Sequence, residues 1–547
     1  MGALVRARGA ARTYRKGWLI SEMTSNLVDR RALLEKAVAG SFALGLAKMA
    51  LAVTQAHAEG EATAPQPSPQ GMAFGPTTLK AEAKRLADQP FSKPSIDALP
   101  APFNKLTYDQ YRDIRFRPER AIWKGEHVDF QVQPFAMGWL YDVPVDLWVV
   151  ENGKATRLVA DSKLFSFGPL IGPGPDSAPF GFSGFRIHGP INRADAFDEY
   201  AVFQGASFLR AVGRGQGYGA SARGLALNTA QPAGEEFPFF RSFWIERPKP
   251  IATEIVVHAL LDSQSTTGAY RFAIAPGETT VMEVEATLYP RTALSHVGIG
   301  PLTSMFFHGQ SSQRRFDDIR PAVHDSEGLA MINGSGERLW RPLNNPKTLQ
   351  LSAFMDRDPQ GFGLWQRDRS FQNYEDLESH YERRPSVWVQ PQSGWGDGFV
   401  ELVEIPIEDE IHDNIAAYWK PSKGLPAGGP HVFSYKIFWG PDVPVSWSGA
   451  RVVKTRVGSG KKPGTVVFVI DLTGPLVKDA KDLPAVDLSA RTGKVSNVSV
   501  QRNLEISGVR VTFELAPGDS GLVELRCVLK AGDQAVSETW LYRWTKP

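Results

Sequence analysis

Three acid-bearing segments in the second half of the chain carry the residue types that chemistry needs: HDSEG at 324–328, YEDLESHYERRPSVW at 374–388 and EDEIHDNIAAYW at 408–419. Trp340, Trp365, Trp388, Trp395 and Trp419 are interleaved with them. Indole and phenol rings cover the apolar faces of sugar rings, while acids and amides bond hydroxyls and move protons. The pattern points to a carbohydrate site. Cleaving a glycosidic bond takes one protonated carboxyl for the leaving oxygen and one carboxylate to activate water or to attack. Each such proton transfer is worth about 10² to 10⁴ in rate.

Other chemistries find less support. His324, His380 and His412 stand apart, with no H-E-x-x-H pair to hold a metal, and no G-x-S-x-G elbow presents a serine. The Gly-rich GRGQGYGAS at 213–221 lacks the strand-turn-helix setting and the Lys-Ser/Thr of a phosphate loop, and reads as a turn or a loop bordering a cleft. Carboxylate chemistry remains, with no metal and no cofactor required. Most carboxylates of any chain are solvated surface groups, but two have telling contexts. Asp413 lies in IHDNIAAYW among apolar residues, where desolvation favours a protonated acid. Asp325 lies in VHDSEG, a turn-like loop where the plainer alternative is an Asx turn or a helix cap.

The elements that must position these residues are strands. At 547 residues two or more domains are expected, and 51 Gly and 40 Pro among short alternating runs indicate β structure with many turns. Short helical patterns at Leu79–Gln89 and Thr107–Ile114 come first. Alternation begins near His127. The runs VDLWVV and ATRLVA flank Asn152-Gly153, a strong hairpin signal, and further runs follow at IATEIVVHALL, AYRFAIA and TTVMEVEATLYP. KPSKGLPAGGP reads as a linker over 421–430. Beyond it, seven strand-like runs over 431–547 fit an immunoglobulin-like sandwich.

The N-terminus reads as an address. Arg30-Arg31 precede a short apolar run that ends at Ala56-His57-Ala58, the pattern of a twin-arginine export signal over 1–58, with residues before Met23 as an upstream extension. A disordered Pro/Ala/Gln-rich stretch is expected over 59–78. The chain has 61 Lys/Arg and 59 Asp/Glu, but without the signal 52 basic residues face 56 acidic ones. A mildly acidic mature protein has no bulk charge with which to bind nucleic acid. The single cysteine, Cys527, allows no internal disulfide and reads as a buried small hydrophobe.

At its motifs the chain resembles the periplasmic glucan biosynthesis proteins of the OpgG/OpgD (MdoG/MdoD) family, and the twin-arginine signal makes it look like the OpgD branch. The residues that carry the resemblance include GASFLRAV (205–212), GYGASARGLA (217–226), RPAVHDSEGL (320–329), RPLNNP (341–346), ESHYERRPSVW (378–388), WGDGFVELVEIP (395–406) and DNIAAYW (413–419). The resemblance implies an all-β fold: a large galactose-mutarotase-like β-sandwich over 79–420 and an immunoglobulin-like β-sandwich over 431–547. It implies action on periplasmic glucan with a β-1,2-linked backbone by an inverting endo-acting hydrolase, with transglycosylation or non-catalytic glucan assembly as alternatives. Carried over by motif, Asp413 is the general acid and Asp325 the general base, with Glu410 in a proton relay. Tyr381, Trp388, Arg341 and Trp365 are expected to line the substrate cleft. The partners implied are the β-1,2-glucan itself and a membrane glucan synthase, and a homodimer is a candidate assembly.

Overall fold

The computed structural model describes residues 71–95, 102–172, 181–312, 316–442, 445 and 447–546. The export signal and residues 59–70 of the expected disordered stretch lie outside the described residues. Its last part is ordered: Met72–Ala73 pairs with the Lys154–Arg157 strand in the register Met72↔Ala155. Pro76–Ala87 forms a helix, with proline in its first turn, where no N–H is needed, and Lys84 and Arg85 in its last, where cations meet the carbonyl end. It buries Leu79 and Ala83 against Leu260, Ala269 and Tyr289. A second short helix, Tyr108–Arg112, opens on a Thr107/Gln110 capping box.

Strands account for nearly everything else. The Asp146–Glu151 and Lys154–Arg157 strands meet at Asn152 (φ 52°) and Gly153 (φ 74°), the left-handed pair that a two-residue hairpin demands. Two large sheets, of sixteen and ten strands, carry the fold. Their inner faces interlock through aromatic rings: Phe203 lies 5.6 Å from Phe243 and 5.3 Å from Phe272, and Phe185 lies 5.0 Å from Phe243. Each ring also sits at a strand position that alternates with an outward polar residue.

The second core lies in the C-terminal module. Arg451–Ser459, Val466–Thr473, Gly508–Ala516 and Lys494–Asn503 form one four-stranded sheet. Thr539–Thr545, Leu522–Ala531 and Ala485–Ala490 face it, packing Trp540 against Phe468 at 5.9 Å. Cys527 is buried there, and burial pushes its thiol up to about 12. That fits a small hydrophobe rather than a nucleophile.

One strand differs from its expected place. His431–Gly440, read as the first strand of the C-terminal sandwich, pairs instead with Thr280–Pro290 and Ser386–Pro391 inside the sixteen-stranded sheet. The Pro/Gly-rich stretch before it is a packed connection, since Leu425 and Leu294 exchange backbone hydrogen bonds of 2.8 and 2.9 Å. The modules are joined edge to edge by parallel pairing of Leu339 and Trp340 with Thr539 and Trp540. Local alternation marks a strand, but which sheet receives it depends on partners far from it in the chain.

Candidate active site

Asp413 ends the loop that leads into the Ile415–Pro421 strand, and its neighbour Asn414 is locked in place. The Asn414 N–H donates to the Ser304 carbonyl at 3.0 Å, and its side-chain oxygen accepts from the Phe306 N–H at 2.8 Å. Its amide nitrogen donates to the Phe306 and Ile405 carbonyls, each at 3.0 Å. Asp325 is anchored to the same short run of chain. Its N–H donates to the Met305 carbonyl at 2.8 Å, and the Ser304 hydroxyl donates to Ser326 at 2.8 Å. Residues 304–306 therefore hold both acids, one from each side.

Each carboxylate faces its own guanidinium. Arg210 stands 3.8 Å from Asp413, with only 12% of the Asp413 side chain exposed. Arg384 stands 3.3 Å from Asp325, whose side chain is 5% exposed. The apolar surroundings expected for Asp413 are thus broken by a cation from a strand two hundred residues earlier. The Gly-rich 213–221 segment borders this place as expected: Gly217 N–H donates to the Arg383 carbonyl at 3.3 Å. A Cβ on Gly219 would come within 3.1 Å of the Arg384 side chain, so Arg384 would have to shift to admit one.

Behind Asp325, Gln366 gathers the segments. Its amide nitrogen donates to the His324 and Tyr381 carbonyls at 2.9 and 3.0 Å, and its oxygen lies 2.9 Å from His324 Nδ1. The His324 ring stacks on Phe306 at 5.2 Å, and burial pushes its pKa down to about 4, so it is neutral at physiological pH. Glu410 is engaged elsewhere, at 2.6 Å from Arg320, which also reaches Asp318 at 2.7 Å and Asp376 at 2.9 Å. Although buried, Asp318 is held down at about 2 by its bonds from Arg320. Arg320 thereby ties the Glu410 loop to the Asp376 loop.

The expected substrate platform is corrected in most of its members. Trp388 is fully buried, and Trp365 lies against it at 5.5 Å in the second core. Trp340, Trp395 and Trp419 are likewise core residues, so no tryptophan of the acid-rich stretch offers a face to a sugar. Arg341 is buried in an ion pair with Glu404 at 2.9 Å, a structural link rather than a cleft group. Tyr381 is also buried. It packs 6.0 Å from Tyr374 and carries the Arg384 guanidinium 5.6 Å above its ring, so it supports the site from behind. The physical reason is common to all: large rings on strands fill the space between sheets before they are spent on a surface.

Arg210, Arg384, Arg320 and Gln366 were not singled out as site residues in the sequence. Arg210, Arg320 and Arg384 do sit inside motifs that carry the family resemblance, GASFLRAV, RPAVHDSEGL and ESHYERRPSVW, which was the available signal. Among the described residues, no group of His, Cys, Asp and Glu is placed to hold a metal ion.

The fold and the site define an all-β, two-core protein with a pair of anchored, guanidinium-flanked carboxylates. Residues 74–544 match the family model described as periplasmic glucan biosynthesis protein, MdoG, and the chain belongs to that family. It is 51% identical over 474 residues to a protein of Rhodopseudomonas palustris named glucans biosynthesis protein G, covering 86% of this chain and 93% of that one. A protein of the same name from Bradyrhizobium diazoefficiens is 46% identical over 520 residues, 95% of this chain and 100% of that one. One from Vibrio cholerae is 49% identical over 467 residues, 84% of this chain and 86% of that one. These relatives carry the G name, whereas the twin-arginine signal that suggested the other branch lies outside the described residues.

Proposed function

We propose that the protein serves periplasmic glucan biosynthesis as an inverting endo-β-1,2-glucanase, with Asp413 as general acid and Asp325 as general base. The observation that carries the reading is that residues 304–306 hold the Asp325 backbone and Asn414, the neighbour of Asp413, while each acid stands beside a guanidinium. Protonated Asp413 gives its proton to the glycosidic oxygen as the bond to the anomeric carbon breaks. Water attacks that carbon from the opposite face and loses a proton towards Asp325, so the anomeric configuration inverts. Asp325 is buried, which favours proton transfer through intervening groups over direct contact with the attacking water. Glu410, paired with Arg320, serves as a positioning residue for the Asp413 loop. The β-1,2 linkage, the periplasmic location and twin-arginine export come from the family resemblance and the N-terminal pattern, and a membrane glucan synthase supplies the polymer in this reading.

The test is to incubate mature protein with linear β-1,2-glucan and follow chain length, reducing ends and product anomer. Shorter chains with new reducing ends of inverted configuration, lost in Asp413→Asn and Asp325→Asn, support the proposal. Altered chain lengths without new reducing ends assign transglycosylation instead. Glucan that binds but stays unchanged leaves an assembly factor.

A further inference from the structure

A second feature lies on the same sheet face as Asp413's partner. On the outer side of the ten-stranded sheet, Arg186, Val202 and Arg210 are paired side by side across three neighbouring strands. Two strand spacings separate Arg210 from Arg186, roughly 10 Å. Their strand neighbours Phe185, Ile187, Phe203, Leu209 and Ala211 point the other way, into the core. Above Arg186 and Gln204 opens a cavity of about 730 Å³, walled by Tyr108, Tyr111, Trp139 and Tyr141. That size lies within the ~300–1,000 Å³ of small-molecule sites.

The rings form a connected set. Trp139 lies 5.1 Å from Tyr108, 6.1 Å from Tyr111 and 5.9 Å from Tyr141, and it is only half-buried. Trp139 also has φ 55°, between Gly138 and Tyr141, which exchange backbone hydrogen bonds of 3.0 and 3.1 Å across a tight turn. A left-handed turn position is natural for Gly or Asn and strained for a bulky ring. Retaining Trp there puts the indole in the cavity wall at a conformational cost. The polar side is also unfinished. Gln204 donates to the Tyr111 hydroxyl at 2.8 Å and to Ser183 at 3.0 Å, while its carbonyl oxygen, in a side chain 7% exposed, has no hydrogen-bond partner. Arg186 bonds Glu199 at 3.0 Å, yet its buried Nε–H is unmatched. One unpaired acceptor and one unpaired donor beneath a set of aromatic faces suit a ligand with hydroxyls on its edge and C–H groups on its face.

We propose that this cavity is a distal subsite for β-linked glucose units, joined to the cleavage site through Arg210, so that the protein grips a long chain at two places. Arg210 is the bridge because its guanidinium lies beside Asp413 while its strand position lines up, through Val202, with Arg186 at the cavity. The inference rests on the function proposed above. Its consequence is preference for long glucans over short ones.

The test measures calorimetric affinity of Asp413→Asn protein, which does not consume ligand, for long and short β-1,2-glucans. Trp139→Asn, whose new residue suits the left-handed backbone, and Tyr108→Ala are then added singly to it. Each added substitution is expected to reduce affinity for the long chain about tenfold and to shrink the long-to-short affinity ratio. Trp139→Phe is expected to restore most of the loss, and thermal unfolding checks that each variant is folded. Unchanged long-chain affinity in folded Trp139→Asn and Tyr108→Ala overturns the subsite and leaves the proposed function standing. Failure of the unsubstituted protein to bind or shorten any glucan overturns the function itself.

Discussion

Two regions of this molecule use arginine–carboxylate pairs for opposite ends. Where the two cores meet, Arg341 reaches Glu404 at 2.9 Å, and the same Glu404 accepts the Asn344 N–H at 2.8 Å. Arg367 likewise forks onto Glu538 at 2.7 and 2.8 Å while covering the Trp340 ring at 3.6 Å. These pairs are short and buried, with both oxygens of each carboxylate bonded. Beside residues 304–306 the contacts are longer, 3.8 Å for Arg210 with Asp413 and 3.3 Å for Arg384 with Asp325. Removing one partner of a short buried pair leaves a charge buried without its counter-ion, at a large cost in stability. Geometry separates structural from chemical carboxylates where residue type does not.

The strongest way to break the comparison is at the cleft. Asp413→Asn and Asp325→Asn are each expected to lower glucan cleavage by about two to four orders of magnitude, with little change in denaturant midpoint. A loss of folding in both would move these acids into the structural class. Next comes the interface, where Arg341→Ala is expected to cost about 3–5 kcal/mol in chemical denaturation, because Glu404 is left buried without its partner. A cost below about 1 kcal/mol would place Arg341 among exposed pairs instead.

A smaller effect sharpens the picture beside the site. Glu327 lies in a narrow crevice of about 20 Å³ between the modules, and burial raises its pKa to about 7, with Asp368 raising it and Arg367 lowering it. The folded form prefers the neutral acid, so stability is full below about 4.5 and declines as pH rises towards 7. The decline attributable to Glu327 is about 3 kcal/mol. Glu327→Gln is expected to stabilise the protein relative to the parent at pH 8 but not at pH 4. Equal differences at both values would mean that folding leaves the Glu327 pKa unshifted. The smallest effect belongs to the aromatic core: Trp365→Phe is expected to cost about 1–2 kcal/mol and to leave glucan affinity within twofold. A large loss of affinity with intact stability would return Trp365 to the cleft.

Much of the fold was legible locally. The Asn152-Gly153 hairpin, the first two helices and six of the seven C-terminal strand runs lie where alternation, caps and turns put them, because each depends on near neighbours. His431–Gly440 does not, since a strand's sheet is chosen by distant edges. In the site, Asp325 and Asp413 were reachable through their motifs, but Arg210 and Arg384 were not assigned, because their meaning lies in what they touch across the fold. The tryptophans misled for the converse reason: rings beside acids in sequence point to opposite faces in a sheet.

The amino-acid order by itself therefore determined the all-β class, the strand and turn sites and the acid-bearing motifs. All of these follow from short-range periodicity and backbone preference. Only the tertiary structure decided which carboxylates meet guanidinium groups beside residues 304–306, which are sealed between cores, and that Trp139 is half-buried at a cavity wall while the indoles of the acid-rich stretch fill the core. Those outcomes depend on packing between strands far apart in the chain, where filling the core claims the large rings first.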